Sequence, residues 1–210
     1  MLTQEQLKAA LRSPYAVLCA FLAGTGLRIG EALSVRNGDD GTHTAYDPAN
    51  AVVRVRMTRW HKQEGTPKTA AGIREVDLDP RLNAFLSVHT SIVAGEPTFS
   101  KAAWAGRDLE FLCEGTLREN LRHLGIQGFH TFRRYRITRL RELGTPEDIV
   151  RYWVGHAGNG ITDRYSKLAE NKELRKQWAV RAGLGFELPE IKETSCSWMG
   201  YTELEEEEEK

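Results

Sequence analysis

Hydrophobic positions along the chain follow two different periods, and the change of period marks out its elements. Thr3-Gln4-Glu5-Gln6 has the form of a capping box, with Leu2 and Leu7 spaced as a hydrophobic staple, and predicts a short first helix. Ser13-Pro14 predicts the cap and first turn of a second helix through Tyr15–Ala23, broken by Gly24-Thr25-Gly26. A third helix is expected from near Arg28, carrying Glu31, Ala32 and Leu33. The segment 37–50 is rich in Gly, Asp, Asn and Pro and reads as a turn or loop. The period then becomes two. Val53, Val55 and Met57 alternate with Arg54 and Arg56, and Val76 and Leu78 alternate with Glu75 and Asp77, the signature of half-buried strands. The polar segment 60–72 between them falls in or near a hairpin connection.

From Pro80 onward the period is helical again. Leu82, Phe85, Leu86 and Val93 share one face of a helix that should end at Gly95. Thr116-Leu117-Arg118-Glu119 repeats the capping-box pattern, with a stop near Gly125. Phe132, Ile137, Leu140 and Leu143 form the expected buried side of the next helix, closed by Gly144. Thr145-Pro146-Glu147-Asp148 opens another, carrying Ile149, Val150 and Trp153. A final helix is expected over about 172–182. The last twenty residues lack periodicity and end in a Glu-rich run, which reads as a disordered acidic tail. The class is therefore α+β, mainly helical with one small β-hairpin sheet. One domain is expected over 1–188, followed by a tail over 189–210.

Composition changes this picture in two places. The formal net charge is zero, yet without residues 203–210 the chain has 28 Lys+Arg against 23 Asp+Glu, a net of +5. Between Arg118 and Arg181 there are 14 basic and 7 acidic residues, a net of +7. Such asymmetry points to a polyanion-binding surface. No apolar run approaches the roughly 18 residues a membrane span requires, and no secretory signal pattern opens the chain, so a cytoplasmic protein with no membrane partner is expected. Cys19, Cys113 and Cys196 are odd in number and far apart, which fits neither a disulfide framework nor a zinc site.

Four local motifs carry candidate chemistry: Thr25-Gly26-Leu27-Arg28-Ile29-Gly30-Glu31-Ala32-Leu33, Lys68-Thr69, His130-Thr131-Phe132-Arg133, and Gly155-His156 followed nine residues later by Tyr165. Opening a phosphodiester by covalent catalysis needs a nucleophile, charge neutralisation and an acid for the leaving oxygen. Guanidinium groups match the non-bridging oxygens with paired, charge-assisted hydrogen bonds. Histidines donate further hydrogen bonds or shuttle a proton near neutral pH. A lysine on a hairpin can protonate the departing 5′ oxygen. Each residue also has a plain structural reading. Tyr165 is one of six tyrosines, Arg28 and Arg133 can be surface charges, and His130 can be an N-cap. His156 can be a turn residue and Glu31 a salt-bridge partner. Arg134, Arg136, Arg139 and Arg141 read as a solvated helix face.

In their order and spacing the four motifs resemble the catalytic domain of the tyrosine recombinases, also called phage integrases, over roughly residues 2–182. The resemblance implies that Tyr165 is the nucleophile, forming a 3′-phosphotyrosyl link that a 5′-hydroxyl later attacks. It implies a phosphate clamp of Arg28 and Arg133, with His130 as acid/base, His156 as a hydrogen-bond donor and Lys68 as general acid. Lys62 occupies the same connection and competes with Lys68 for that role. Glu31 matches a supporting acidic position that orients Arg28. Neither ATP nor a divalent metal is implied, so no cofactor is expected. The implied partners are double-stranded DNA and further copies of the chain, as a tetramer on DNA, in the integration or recombination of a mobile element.

Two features depart from the family pattern. Asn37 stands where an aromatic residue commonly follows the third helix, and Leu2 already resembles the start of the catalytic domain. No N-terminal module that closes over the duplex is expected in this chain, which is either an excised domain or a short protein. The segment Trp178–Leu188 can dock on a neighbour or pack on its own domain. Two other functions fit the same motifs: a type IB topoisomerase that relaxes supercoils, and a DNA-binding remnant of a mobile element without turnover.

Overall fold

The structure is a computed structural model that describes residues 2–60, 63–90, 95, 97–101, 110–112, 114–156 and 167–190. Helix α1 (Gln4–Ala10) begins at the expected capping box, with the Thr3 hydroxyl accepting from the Gln6 amide and both Leu2 and Leu7 buried. Helix α2 (Ala16–Thr25) is apolar on every side and sits at the centre of the molecule, with Val17–Thr25 all buried. A helix of this kind survives only inside a core. Its ends differ from expectation. The Ser13 hydroxyl accepts from the Tyr15 amide in a turn ahead of the helix, so Pro14 precedes the first turn instead of occupying it. Gly24 lies within the helix. It is there for close packing, since a Cβ would come 2.5 Å from Leu82 Cδ2. Helix α2 closes at Gly26, and α3 (Ile29–Leu33) follows at once.

Strand β1 (Val35–Asn37) leads into the segment read as a loop, which itself contains β2 (Thr44–Asp47), and the two strands pair in parallel. Strand β3 (Val52–Val55) then runs antiparallel to β2, and β6 (Arg74–Asp77) antiparallel to β3, giving the sheet order β1-β2-β3-β6. Strands this short with turn residues between them hide their period, so composition outweighed pattern in the sequence. Between β3 and β6, β4 (Thr58–Trp60) and β5 (Gln63–Gly65) form a two-stranded hairpin, and Ala70–Gly72 make one 3₁₀ turn. The hairpin lies flush on α3: a Cβ at Gly30 would come 2.6 Å from Thr58 Oγ1 and 2.8 Å from the Arg59 carbonyl.

Helix α4 (Pro80–His89) starts on the Asp79 cap, and Val93, expected on the same helix, lies outside the described residues. A short pair, β7 (Ser100–Lys101) and β8 (Glu110–Phe111), precedes α5 (Glu114–His123). Thr116 is inside α5, so its motif is not a cap. Helix α6 (His130–Glu142) packs against α2, with Phe132 and Leu140 buried in the core, whereas Leu143 is exposed. The expected solvated face of α6 is also corrected at Arg136, which is buried and donates to the Gly183 carbonyl at 2.6 Å. Helix α7 (Glu147–Val154) carries buried Ile149, Val150 and Trp153.

Helix α8 (Lys172–Ala182) packs on its own domain against β6, with Ala179, Ala182 and Leu184 in the main core. Its Arg175 donates to Asp77 at 2.8 Å and to Glu75, and Trp153 Nε1 donates to the same Asp77 oxygen at 2.9 Å. Asp77 is therefore buried, although its place in the alternation put it outward; three elements meet there and its charge is paired. Among the described residues no helix is long and apolar enough to cross a membrane. Cys19 is a free, buried thiol pushed up to about 12 by burial, so it is unreactive; Cys113, Cys196 and the acidic tail lie outside the described residues.

Candidate active site

Two helices end on glycine in the left-handed region, and both ends point at one guanidinium. Helix α2 closes at Gly26 with φ of 69°, and α7 at Gly155 with φ of 63°, a conformation that glycine adopts without steric cost. Arg133, one turn into α6, donates to the Gly26 carbonyl at 2.9 Å and to the Val154 carbonyl. Both acceptors lie at helix C-termini, where the backbone dipole favours a cation. Arg133 is buried, so its direction is set by three helices together.

Its charge has little local compensation. Burial, reinforced by Arg28, pushes the Arg133 guanidinium down to about 10, and Glu31 opposes that shift. Among the described residues, the guanidiniums of Arg28 and Arg74 both act on that of Arg133, against the carboxylate of Glu31. Positive charge in excess of its counter-charge, in partly desolvated surroundings, is costly unless an anion arrives to share it.

Arg28 stands at the N-cap of α3, where the chain leaves the Gly26 turn, and its side chain is 45% exposed. Glu31 is buried and receives Arg28 twice, from the guanidinium at 2.8 Å and from the backbone amide at 3.0 Å. Burial works to raise the Glu31 carboxyl, but Arg74 and Arg28 overcome it, and the group lies below the ordinary carboxylate range. It is a fixed anion at neutral pH.

His130 is the first residue of α6 and exposed; Phe129 holds the N-cap position, so the capping alternative for His130 falls away. His156 follows Gly155, exposed, with its amide bonded to the Arg151 carbonyl at 3.1 Å. Burial lowers both imidazoles below their ordinary value, and Arg133 and Arg28 lower both further. Two histidines 26 positions apart thus feel the same two guanidiniums. Both are neutral at pH 7, able to accept a proton or donate one hydrogen bond.

Lys68 is exposed on the loop that ends in the Ala70–Gly72 turn. That loop reaches the end of α7, for a Cβ on Gly155 would come 3.0 Å from the Ala71 carbonyl. Arg28, Glu31, His130, Arg133 and His156 are thus brought into one place, with the loop of Lys68 at its edge. Tyr165 and Lys62 lie outside the described residues. The sequence reading passed over Arg74, which is buried and bonds both oxygens of Glu31, at 3.2 and 3.0 Å. The signal was present: extending the inward positions Val76 and Leu78 back by two reaches Arg74. Among the described residues no group of three or more His, Cys, Asp or Glu is placed to hold a metal ion.

No family model matches the sequence, and no curated protein matches it. Solved structures do. The integrase from mycobacterium phage Brujita superposes with a TM-score of 0.57 at 15% identity, over 91% of this chain and 60% of that one. The Tn1549 transposon integrase (residues 82–397), solved in complex with circular intermediate DNA, gives 0.52 at 19% identity, over 82% and 64%. XerA recombinase gives 0.51 at 19% identity, over 83% and 59%. The chain therefore spans about three fifths of the length of the solved chains it matches. The fold is the tyrosine-recombinase fold, α+β and mainly helical.

Proposed function

We propose that this chain cleaves and rejoins DNA strands through a covalent 3′-phosphotyrosyl intermediate on Tyr165, as the catalytic part of a site-specific recombinase or integrase. The observation that carries the reading is the buried, carbonyl-held Arg133 beside Arg28, a cation pair in excess of its carboxylate with two neutral histidines against it. A phosphodiester is the anion that such a site fits. Its two non-bridging oxygens take the paired N–H groups of two guanidiniums, already oriented before the charge grows in the transition state.

In the reaction the Tyr165 oxygen bonds to phosphorus while the bond to the 5′ oxygen breaks. The phenol, with an ordinary pKa of about 10, gives up its proton, and His130 is the acceptor in reach of the guanidiniums. Lys68 delivers a proton to the departing 5′ oxygen, and His156 donates to a phosphate oxygen. A 5′-hydroxyl then attacks the phosphotyrosyl bond in the reverse sense, so the chemistry balances without ATP. Double-stranded DNA is the substrate, and exchange between two duplexes requires further copies of the chain.

A DNA substrate nicked near the cleavage point loses its 5′-hydroxyl fragment and traps the covalent state. The wild type should yield a denaturation-resistant adduct and Tyr165→Phe none, with DNA binding retained. An adduct that persists in Tyr165→Phe would sink the assignment. Relaxation of supercoiled DNA by isolated chains, without partner exchange, would move the reading to a topoisomerase. Binding without any adduct would leave a DNA-binding remnant.

A further inference from the structure

Arg74 makes four hydrogen bonds to three segments, each of which leads to a different part of the proposed site. Its Nη2 donates to Glu31 Oε2 at 3.0 Å and its Nη1 to Glu31 Oε1 at 3.2 Å. The same Nη1 donates to the Gly72 carbonyl at 2.8 Å, and Nε to the Trp153 carbonyl at 2.6 Å. Glu31 in turn holds Arg28. Gly72 ends the loop that carries Lys68, and Trp153 lies one turn from His156 on the end of α7. Strand β6 supplies the anchorage, since Arg74 pairs with Val55 in its ladder to β3.

We infer that Arg74 is a positioning residue that fixes Arg28 through Glu31, and ties the Lys68 loop and the His156 turn to the same point. The inference rests on the proposed strand-transfer reaction only for its effect on rate, because the placement of Arg28 is a property of the free protein. Arg74 itself commits all three guanidinium nitrogens to Glu31 and to the Gly72 and Trp153 carbonyls, so it meets protein and not the substrate. What it supplies is geometry. Arg28 is nearly half exposed and a long side chain, so without a fixed Glu31 it would sample many rotamers. A planar fork that grips both Glu31 oxygens prevents the carboxylate from turning, and a lysine ammonium, a point charge, cannot. Gly155 shows how tightly the parts are fitted: a Cβ there would come 2.8 Å from Arg74 Nη1.

The test compares Arg74→Lys and Arg74→Met with Glu31→Gln and Arg28→Ala. The first readout is independent of activity: nitrogen-15 relaxation of the Arg28 Nε–Hε group. In the wild type this group should be nearly as ordered as the backbone, and in Arg74→Lys it should become mobile while core amides keep their dispersion. A mobile Arg28 in the wild type would overturn the inference whatever the variants do, including variants that fail to fold. So would an Arg28 that stays ordered in a folded Arg74 variant. The second readout is adduct formation on two nicked substrates, one with an ordinary scissile phosphate and one with a methylphosphonate, which carries no charge to neutralise. Arg74→Lys should slow the ordinary substrate at least tenfold and the neutral one far less, the same pattern as Arg28→Ala. Equal slowing on both would mean a merely structural role and would overturn the inference. Arg74→Met combined with Glu31→Gln should be no slower than the worse single variant. Should the wild type form no adduct on either substrate, the strand-transfer reading falls, and the order of Arg28 still decides the role of Arg74.

Discussion

Two buried arginines in this molecule differ in what neutralises them. Arg175, on α8, is fully buried and donates to Asp77 and Glu75, as well as to the carbonyls of Leu168 and Ala169. Burial works against its charge, but Asp77 and Glu75 prevail and its pKa is raised. Arg133, as deeply buried, has two backbone carbonyls and is pushed down to about 10. The first arginine closes its electrostatic account inside the fold. The second leaves charge over, directed to where Arg28, His130 and His156 converge. Burial alone therefore does not mark the proposed site; the groups around the guanidinium do. Arg136, held by the Gly183 carbonyl, is likewise pushed down to about 10 by burial, with Asp79 opposing the shift.

Substitutions at the two positions should separate rate from stability. Arg133→Lys keeps a charge but loses the planar fork, so adduct formation should fall by about 10²-fold or more with the unfolding midpoint little changed. Arg175→Met leaves Asp77 buried without its main partner and should cost about 3–5 kcal/mol of stability, read by denaturant unfolding, with the rate intact in the fraction still folded. If Arg175→Met slowed the chemistry as much as Arg133→Lys, the contrast would be wrong. Arg136→Met should follow Arg175 in kind and be milder.

Gly155→Ala should show an effect of both kinds. A side chain at φ of 63° is strained by about 1–3 kcal/mol, and here it also meets Arg74. Stability and adduct rate should fall together, and a drop in only one would show that the turn and the site are not linked.

A smaller effect concerns pH. His130 and His156 have lowered pKa values in the free protein, because of burial and then the nearby guanidiniums. A bound phosphate diester offsets those guanidiniums and so raises both values. Binding should then take up protons, and affinity should strengthen as pH falls below about 6.5. Calorimetry in two buffers of different ionisation enthalpy measures the uptake, and His130→Asn with His156→Asn should abolish it. Folding stability has the opposite dependence. The unfolded histidines bind protons more readily, so stability is full above about pH 6.5 and declines as pH falls through the folded-state values. The smallest effect expected is none: excess chelator should leave adduct formation unchanged, since guanidiniums supply the charge stabilisation. An adduct that needs added magnesium would break the account of Arg133.

Much of this was legible in the sequence, for identifiable reasons. The α1 capping box, the amphipathic face of α7 and the alternation in β3 and β6 each carry a local signal that tertiary packing has no reason to override. Strands β1 and β2 were not legible, because three- and four-residue strands set among Gly and Asp show no period. Pro14 and Thr116 misled for a different reason: each has the chemistry of a helix start, while the actual start was fixed elsewhere by what the helix buries. In the site, Arg28, His130, Arg133 and His156 stood out because their motifs, in order and spacing, resemble those of the tyrosine recombinases. Arg74 did not, since its charge outweighs its inward place in the alternation until its partner, Glu31, 43 positions away, is placed beside it.

The connectivity of the site also orders its appearance during synthesis. Arg133 is held by a carbonyl 107 residues earlier, and Arg74 by one 79 residues later. Contacts so far apart in sequence close slowly and after local structure, because their loop entropy is met only once the intervening chain has condensed. A nascent chain that has emerged through α5 has Arg28, Glu31, Arg74, Lys68 and the α2 end, but neither Arg133 nor the α7 end that also receives it. The cation cluster thus comes into being only when α6 has docked on α2 and α7 on α6 and β6, and the proposed ability to hold a strand arrives late, with the completed fold.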